Sequence, residues 1–125
     1  NEAIEAGKVY IAPGNYHMSI NKQSDAVRIH LDQKPERNYV RPAADYLFES
    51  AADVYGEKTF GIVLTGMGED GREGCIRIKQ NKGGIYIQDK ESCTVFGMPG
   101  AVFRDGAYDM MGNVEQVQDL LKSMI

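Results

Sequence analysis

Leu64-Thr65-Gly66-Met67-Gly68-Glu69-Asp70-Gly71 carries the clearest chemical potential in this chain, because it sets a carboxylate at a strand-to-helix corner. Ligands and catalytic groups collect beyond the carboxyl ends of strands in an open parallel sheet. A carboxylate at that corner is a candidate catalytic group. The simpler reading is structural: Asp70 as the N-cap of its own helix, accepting a bond from an orphan amide. The eight residues alone leave both readings open.

The glycines at 66, 68 and 71 also satisfy the GxGxxG spacing of a dinucleotide loop between a strand and a helix. Asp70 at the helix start opposes that reading, because it would repel a pyrophosphate. Asp89 follows the next strand at about the required distance of ~20 residues but begins a turn, so a nucleotide-binding module stays the weaker alternative.

Other reactive residues are scarce. His17 follows a tight turn and can face a cleft, although a structural role is the plainer reading; His30 lies on an alternating strand and reads as surface or core. Two histidines without a fixed spacing to acidic residues do not make a metal site, and no metal or cofactor is expected. No serine sits in a glycine-flanked elbow that would expose its hydroxyl. Ser92, in a polar loop at a strand's carboxyl edge, is the one remote nucleophile candidate, whereas Ser50 and Ser123 fall within predicted helices. Cys75 and Cys93 lack CxxC spacing and read as small buried hydrophobes.

The elements that must position these residues follow from periodicity. Lys8–Ala12 predicts a strand ended by the turn cluster Pro13-Gly14-Asn15. Residues 16–20 and 26–31 alternate with period two and predict a hairpin joined by a polar connector at 21–25. Residues 32–42 are polar, with Pro35 and Pro42, and read as a surface loop. A helix over 43–52, with an apolar stripe through Tyr46, Leu47, Ser50, Ala51 and Val54, is closed by Gly56. A buried strand at 60–64, a helix at 70–81, a strand at 85–88, a short helix from about Gly97 to Phe103 and a strand at 108–111 follow. Asn113 caps a final amphipathic helix bearing Val114, Val117, Leu120, Leu121 and Met124. Strands and helices alternate from residue 43 onward, the pattern of a parallel α/β sheet.

Size and charge narrow the function. The 125 residues make at most one domain. With 42% hydrophobic and 26% charged residues the composition is that of a globular protein. A net charge of −4 argues against nucleic acid or an anionic membrane as the main partner. No apolar stretch approaches the ~20 residues of a membrane span and no signal peptide opens the chain, so a cytoplasmic location is expected.

Four ordered stretches together resemble the CheB family of chemotaxis methylesterases. They are Val9-Tyr10-Ile11-Ala12-Pro13-Gly14-Asn15-Tyr16-His17-Met18; Arg41-Pro42-Ala43-Ala44-Asp45-Tyr46-Leu47-Phe48; the run 64–71 followed by Gly74; and the run from Gln88 to Pro99. The resemblance covers nearly the whole chain. It implies a serine hydrolase that cleaves glutamate methyl esters, and in many members deamidates glutamines, on the cytoplasmic helices of chemoreceptors. The implied fold is a doubly wound, mostly parallel α/β sheet with an inserted antiparallel hairpin. Asp70 matches the aspartate of a serine–histidine–aspartate triad, and Met67 matches a residue of the active-site wall whose amide can help hold an oxyanion.

The resemblance also implies what this chain does not contain. The family's nucleophile belongs to an Ala-Ser-Thr-Gly-Gly turn and its triad histidine to a Gln-His-Met run, and neither occurs here; His17 is not that histidine. Residues 1–125 are therefore expected to be the C-terminal two-thirds of a catalytic domain, with the N-terminal units and any upstream receiver domain outside it. One triad member of three implies an inert polypeptide, and a bared strand edge implies self-association. A non-catalytic CheB-like binding or scaffolding module is the alternative within the resemblance.

Overall fold

A computed structural model describes residues 1–125. Its main sheet has three parallel strands in the order β3 (Phe60–Val63), β4 (Gly84–Gln88), β5 (Met110–Gly112). The central strand β4 is buried from Ile85 through Gln88, as a strand covered on both faces must be. Helices α2 (Arg72–Gln80) and α3 (Met98–Asp105) make the two crossovers. Val63, Cys75, Ile78, Ile85, Ile87 and Val102 join in one core. The α/β class and the alternation read from the sequence hold, with element ends displaced by one to three residues.

A second sheet is a separate antiparallel hairpin, β1 (His17–Gln23) with β2 (Ala26–Asp32). The expected five-residue connector is only Ser24-Asp25, because pairing runs on to Gln23 opposite Ala26 and Ser24 takes the positive φ the tight turn needs. The hairpin is held on α1 (Ala44–Tyr55) partly by Ser50. Its hydroxyl accepts from the Ile20 amide at 3.0 Å and donates to the Leu47 carbonyl at 2.9 Å. Ser50 is thus a tie between elements, a role the stripe alone did not reveal. A 3-10 turn, Gly56–Lys58, continues from α1.

One local expectation fails and two gain detail. Lys8–Ala12 joins no ladder, and Val9 and Ile11 are 90% and 86% exposed. Residues 2–4 instead bond along β2, through the Ile4 amide to Val27 and the Ile29 amide to Glu2. The polar run 32–42 contains a tight reversal, with Arg37 and Val40 exchanging both backbone bonds around Asn38 and Tyr39, both at positive φ. The final helix α4 (Val114–Met124) has the predicted cap: the Asn113 side chain accepts from the Gln116 amide and the Gln116 side chain accepts from the Asn113 amide, both at 2.8 Å. Of its apolar face only Val117 is buried. No helix is long and apolar enough to cross a membrane.

Candidate active site

Asp70 lies beyond the carboxyl end of β3, as expected, but it does not cap its own helix. Helix α2 starts two residues later from Gly71, which has φ +99 and no side-chain cap. The Asp70 carboxylate is turned toward α1 instead. Its Oδ2 accepts from the Ala44 amide at 2.6 Å and its Oδ1 from the Asp45 amide at 3.1 Å. The carboxylate is 8% exposed. A sequence-distant acid thus satisfies the first amides of α1, whose own N-cap position is Ala43, a residue with no side-chain acceptor.

His17 completes that helix start. Its Nδ1 accepts from the Ala43 amide at 3.1 Å, which places the ring proton on Nε2, donating to the Pro35 carbonyl at 3.0 Å. The ring is 1% exposed and meets the edge of Tyr46. Both nitrogens are committed to backbone, so the plainer reading of His17 stands. His30 is on the surface beside Asp32.

Asp45 is the residue whose role the sequence did not disclose. It is fully buried in the first turn of α1, and its Oδ1 accepts from the amides of Gly71 at 3.0 Å and Gly74 at 2.7 Å. Its Oδ2 accepts from the Asn38 side chain at 2.8 Å and lies 3.9 Å from Arg37. Burial pushes the Asp45 carboxyl above its ordinary range and the nearby Asp70 charge adds to this, against the opposing pull of Gly74, Asn38 and Arg37. Arg37 forks onto Glu49 with two bonds of 2.7 Å, which hold Arg37 firmly protonated. The signal available was Asp45 within the run 41–48. Its partners Asn38 and Arg37 sit in a stretch that reads only as polar loop.

Met67 stands 84% exposed at the crest of the turn, and its amide has no acceptor within the chain. The turn beneath it is braced against the segment after β4. Gly66 donates to the Val95 carbonyl and accepts from the amides of Gly97 and Met98. A Cβ on Gly97 would lie 2.7 Å from the Gly66 oxygen, so the two chains approach as only glycine permits. Gln88, buried at the end of β4, accepts from the Thr65 amide at 2.7 Å and donates to the Ser92 carbonyl at 3.0 Å. Ser92 is exposed and its hydroxyl is tied to Asp89 at 2.5 Å. Asp70, Met67 and the residues that brace them therefore share one end of the sheet.

Of the cysteines, Cys75 is fully buried and burial pushes its thiol up to about 12. Cys93 is half-buried, and burial raises its thiol as well.

The CheB methylesterase family profile matches residues 1–121. A protein-glutamate methylesterase/protein-glutamine glutaminase of Thermotoga maritima is 38% identical over 124 residues, spanning 99% of this chain and 36% of that protein. A protein of the same description from Pyrococcus horikoshii is 43% identical over 119 residues, 94% of this chain and 32% of its own. In Caulobacter vibrioides a further one is 44% identical over 123 residues, 98% of this chain and 35% of its own. The chain thus spans about a third of the length of these relatives. The crystal structure of the Thermotoga maritima CheB methylesterase catalytic domain superimposes with a TM-score of 0.95 at 38% identity, covering 99% of this chain and 66% of that domain. With its fold, its turn at 64–71 and nearly its full length matched, this chain belongs to the CheB methylesterase family.

Proposed function

We propose that this chain is the aspartate-bearing, C-terminal part of a protein-glutamate methylesterase catalytic domain. The reaction is hydrolysis of glutamate methyl esters, with deamidation of glutamines as a second activity, on the cytoplasmic helices of chemoreceptors. The observation that carries the reading is the Asp70 carboxylate, fixed by two helix amides at the carboxyl end of β3 in a chain of this family. In the triad Asp70 orients a histidine and stabilises the imidazolium formed when the serine attacks the ester carbonyl. Its anchoring supports this role, because a carboxylate already held by backbone amides needs no rearrangement when charge develops. The free Met67 amide is suited to bind the oxyanion.

The serine and the triad histidine lie outside this chain in this reading, so the chain alone is inert. An apolar groove of about 280 Å³ separates the unpaired stretch around Tyr10 from β3, and is lined by Met18, Ile20, Phe48 and Phe60 among others. It supports a domain that is completed by upstream strands, and self-association of the isolated chain through the same edge. An upstream receiver domain and a cytoplasmic location complete the proposal.

Methanol release from methylated receptor membranes tests it, with this chain compared with one extended upstream through the remaining third of the domain. Activity only in the extended form, lowered but not abolished by Asp70→Asn, is the expected result. Activity in the chain as it stands would refute the borrowed triad and turn attention to Ser92. The nucleotide-binding alternative is disfavoured by Asp45, whose carboxylate already occupies the α2 amides a pyrophosphate would need.

A further inference from the structure

We propose that Asn38 and Asp45 are positioning residues for Asp70, so that a loop 32 residues upstream adds a side-chain contact to the helix amides in orienting the triad carboxylate. The inference rests on the proposed function, in which Asp70 belongs to the triad. The Asn38 side-chain amide lies between two carboxylates, 2.8 Å from Asp45 Oδ2 and 3.5 Å from Asp70 Oδ1. Asp45 reaches Asp70 by two further routes. Its own backbone amide donates to Asp70 Oδ1 at 3.1 Å, and its side chain accepts from Gly71, the residue next to Asp70.

The Asp70 carboxylate and the residue after it are therefore both tied to one buried residue, Asp45. Three donors converge on the Asp70 carboxylate, from Ala44, Asp45 and Asn38, and only the Asn38 donor is a side chain. It is therefore the contact that a substitution can remove without disturbing the helix. The positive φ of 55 at Asn38 aims the amide inward and admits glycine without strain. Arg37, the residue before it, anchors the loop through Glu49 and so fixes where Asn38 sits.

The test uses the complete catalytic domain and four proteins: wild type, Asn38→Gly, Asp70→Asn and the double variant, each with its thermal unfolding measured. Asn38→Gly is expected to lower kcat between about 10- and 100-fold at unchanged KM. In the Asp70→Asn background the same change should cost less than about twofold, because a residue acting through Asp70 has nothing left to position. Equal losses in both backgrounds, or no loss in either, overturn the proposal, since a residue that merely supports the fold would act additively. If Asp70→Asn itself leaves kcat intact, the triad assignment fails and the positioning role fails with it. Asp45→Asn supplies an independent check. It keeps an oxygen for Gly71 and Gly74 but sets an amide against the Asn38 amide, and the same non-additive pattern is expected.

Discussion

Asp45 and Asp70 cap helices reciprocally: Asp45, in the first turn of α1, receives the amides at the start of α2, and Asp70, just before α2, receives those at the start of α1. Neither helix has a side-chain acceptor of its own at its N-cap position, which is alanine in one and glycine in the other. Asp70→Ala should therefore destabilise the chain by about 1–2 kcal/mol, whatever it does to catalysis. Asp70→Asn, which keeps an acceptor oxygen, should cost less than half as much. Urea unfolding of the two variants measures the difference.

The same junction makes Gly74 a packing position. A Cβ there would lie 2.5 Å from the Phe48 Cβ and 3.1 Å from the Asp45 Oδ1. Both neighbours are close to rigid backbone, so α2 must move away from α1. Gly74→Ala is expected to destabilise by about 1–3 kcal/mol, although alanine ordinarily favours a helix. A thermal midpoint equal to or above that of the wild type would show that the helices separate freely.

His17 offers a contrast between a histidine that does chemistry and one that holds structure. His17→Phe keeps the ring against Tyr46 but strands the Ala43 amide and the Pro35 carbonyl. We expect a loss of about 1–3 kcal/mol in stability. In the complete catalytic domain, kcat at a temperature well below unfolding should stay within about threefold of wild type.

Acid should loosen the 33–42 loop through Glu49. Its bonds to Arg37 hold Glu49 below its ordinary value of 4.5 against the opposing effect of burial. A carboxylate with a lowered folded value contributes stability in full above pH 4.5, and loses it as the pH falls through that folded value. Glu49→Gln should accordingly lower the urea midpoint at pH 7 and have much less effect at pH 3. A difference that persists at pH 3 would assign the role of Glu49 to packing.

Cys75 should resist alkylation. With its thiol raised to about 12 and fully buried, the reactive thiolate is only about one part in ten thousand at pH 8. Peptide mapping after iodoacetamide treatment should find Cys75 labelled only in denaturant, with Cys93 labelled slowly in the native protein.

The alternation of strands and helices was legible because burial imposes its period on each segment: Ile85 to Ile87 are apolar and enclosed, and Asn113 with Gln116 announces a helix start by chemistry that is local in sequence. The position of Asp70 beyond β3 was legible for the same local reason. Its partners were not. Asp45, Asn38 and the amides of α1 come to Asp70 from 25 to 32 residues away, and no periodicity records a contact of that kind. Lys8–Ala12 shows the converse case: its residue types favour a strand, but a strand exists only where another backbone accepts its bonds.

The bracing of Gly66 against Val95, Gly97 and Met98 has an entropic consequence for Met67. The backbone around it is held by Gly66 on one side and by the anchored Asp70 on the other, whereas its thioether side chain is free in solvent. A partner settling on this crest has one flexible side chain to immobilise and no loop to fold, so the conformational cost of association is about 0.5–1.5 kcal/mol. The contact surface can thus adapt its shape through Met67 while the groups beneath it keep their alignment.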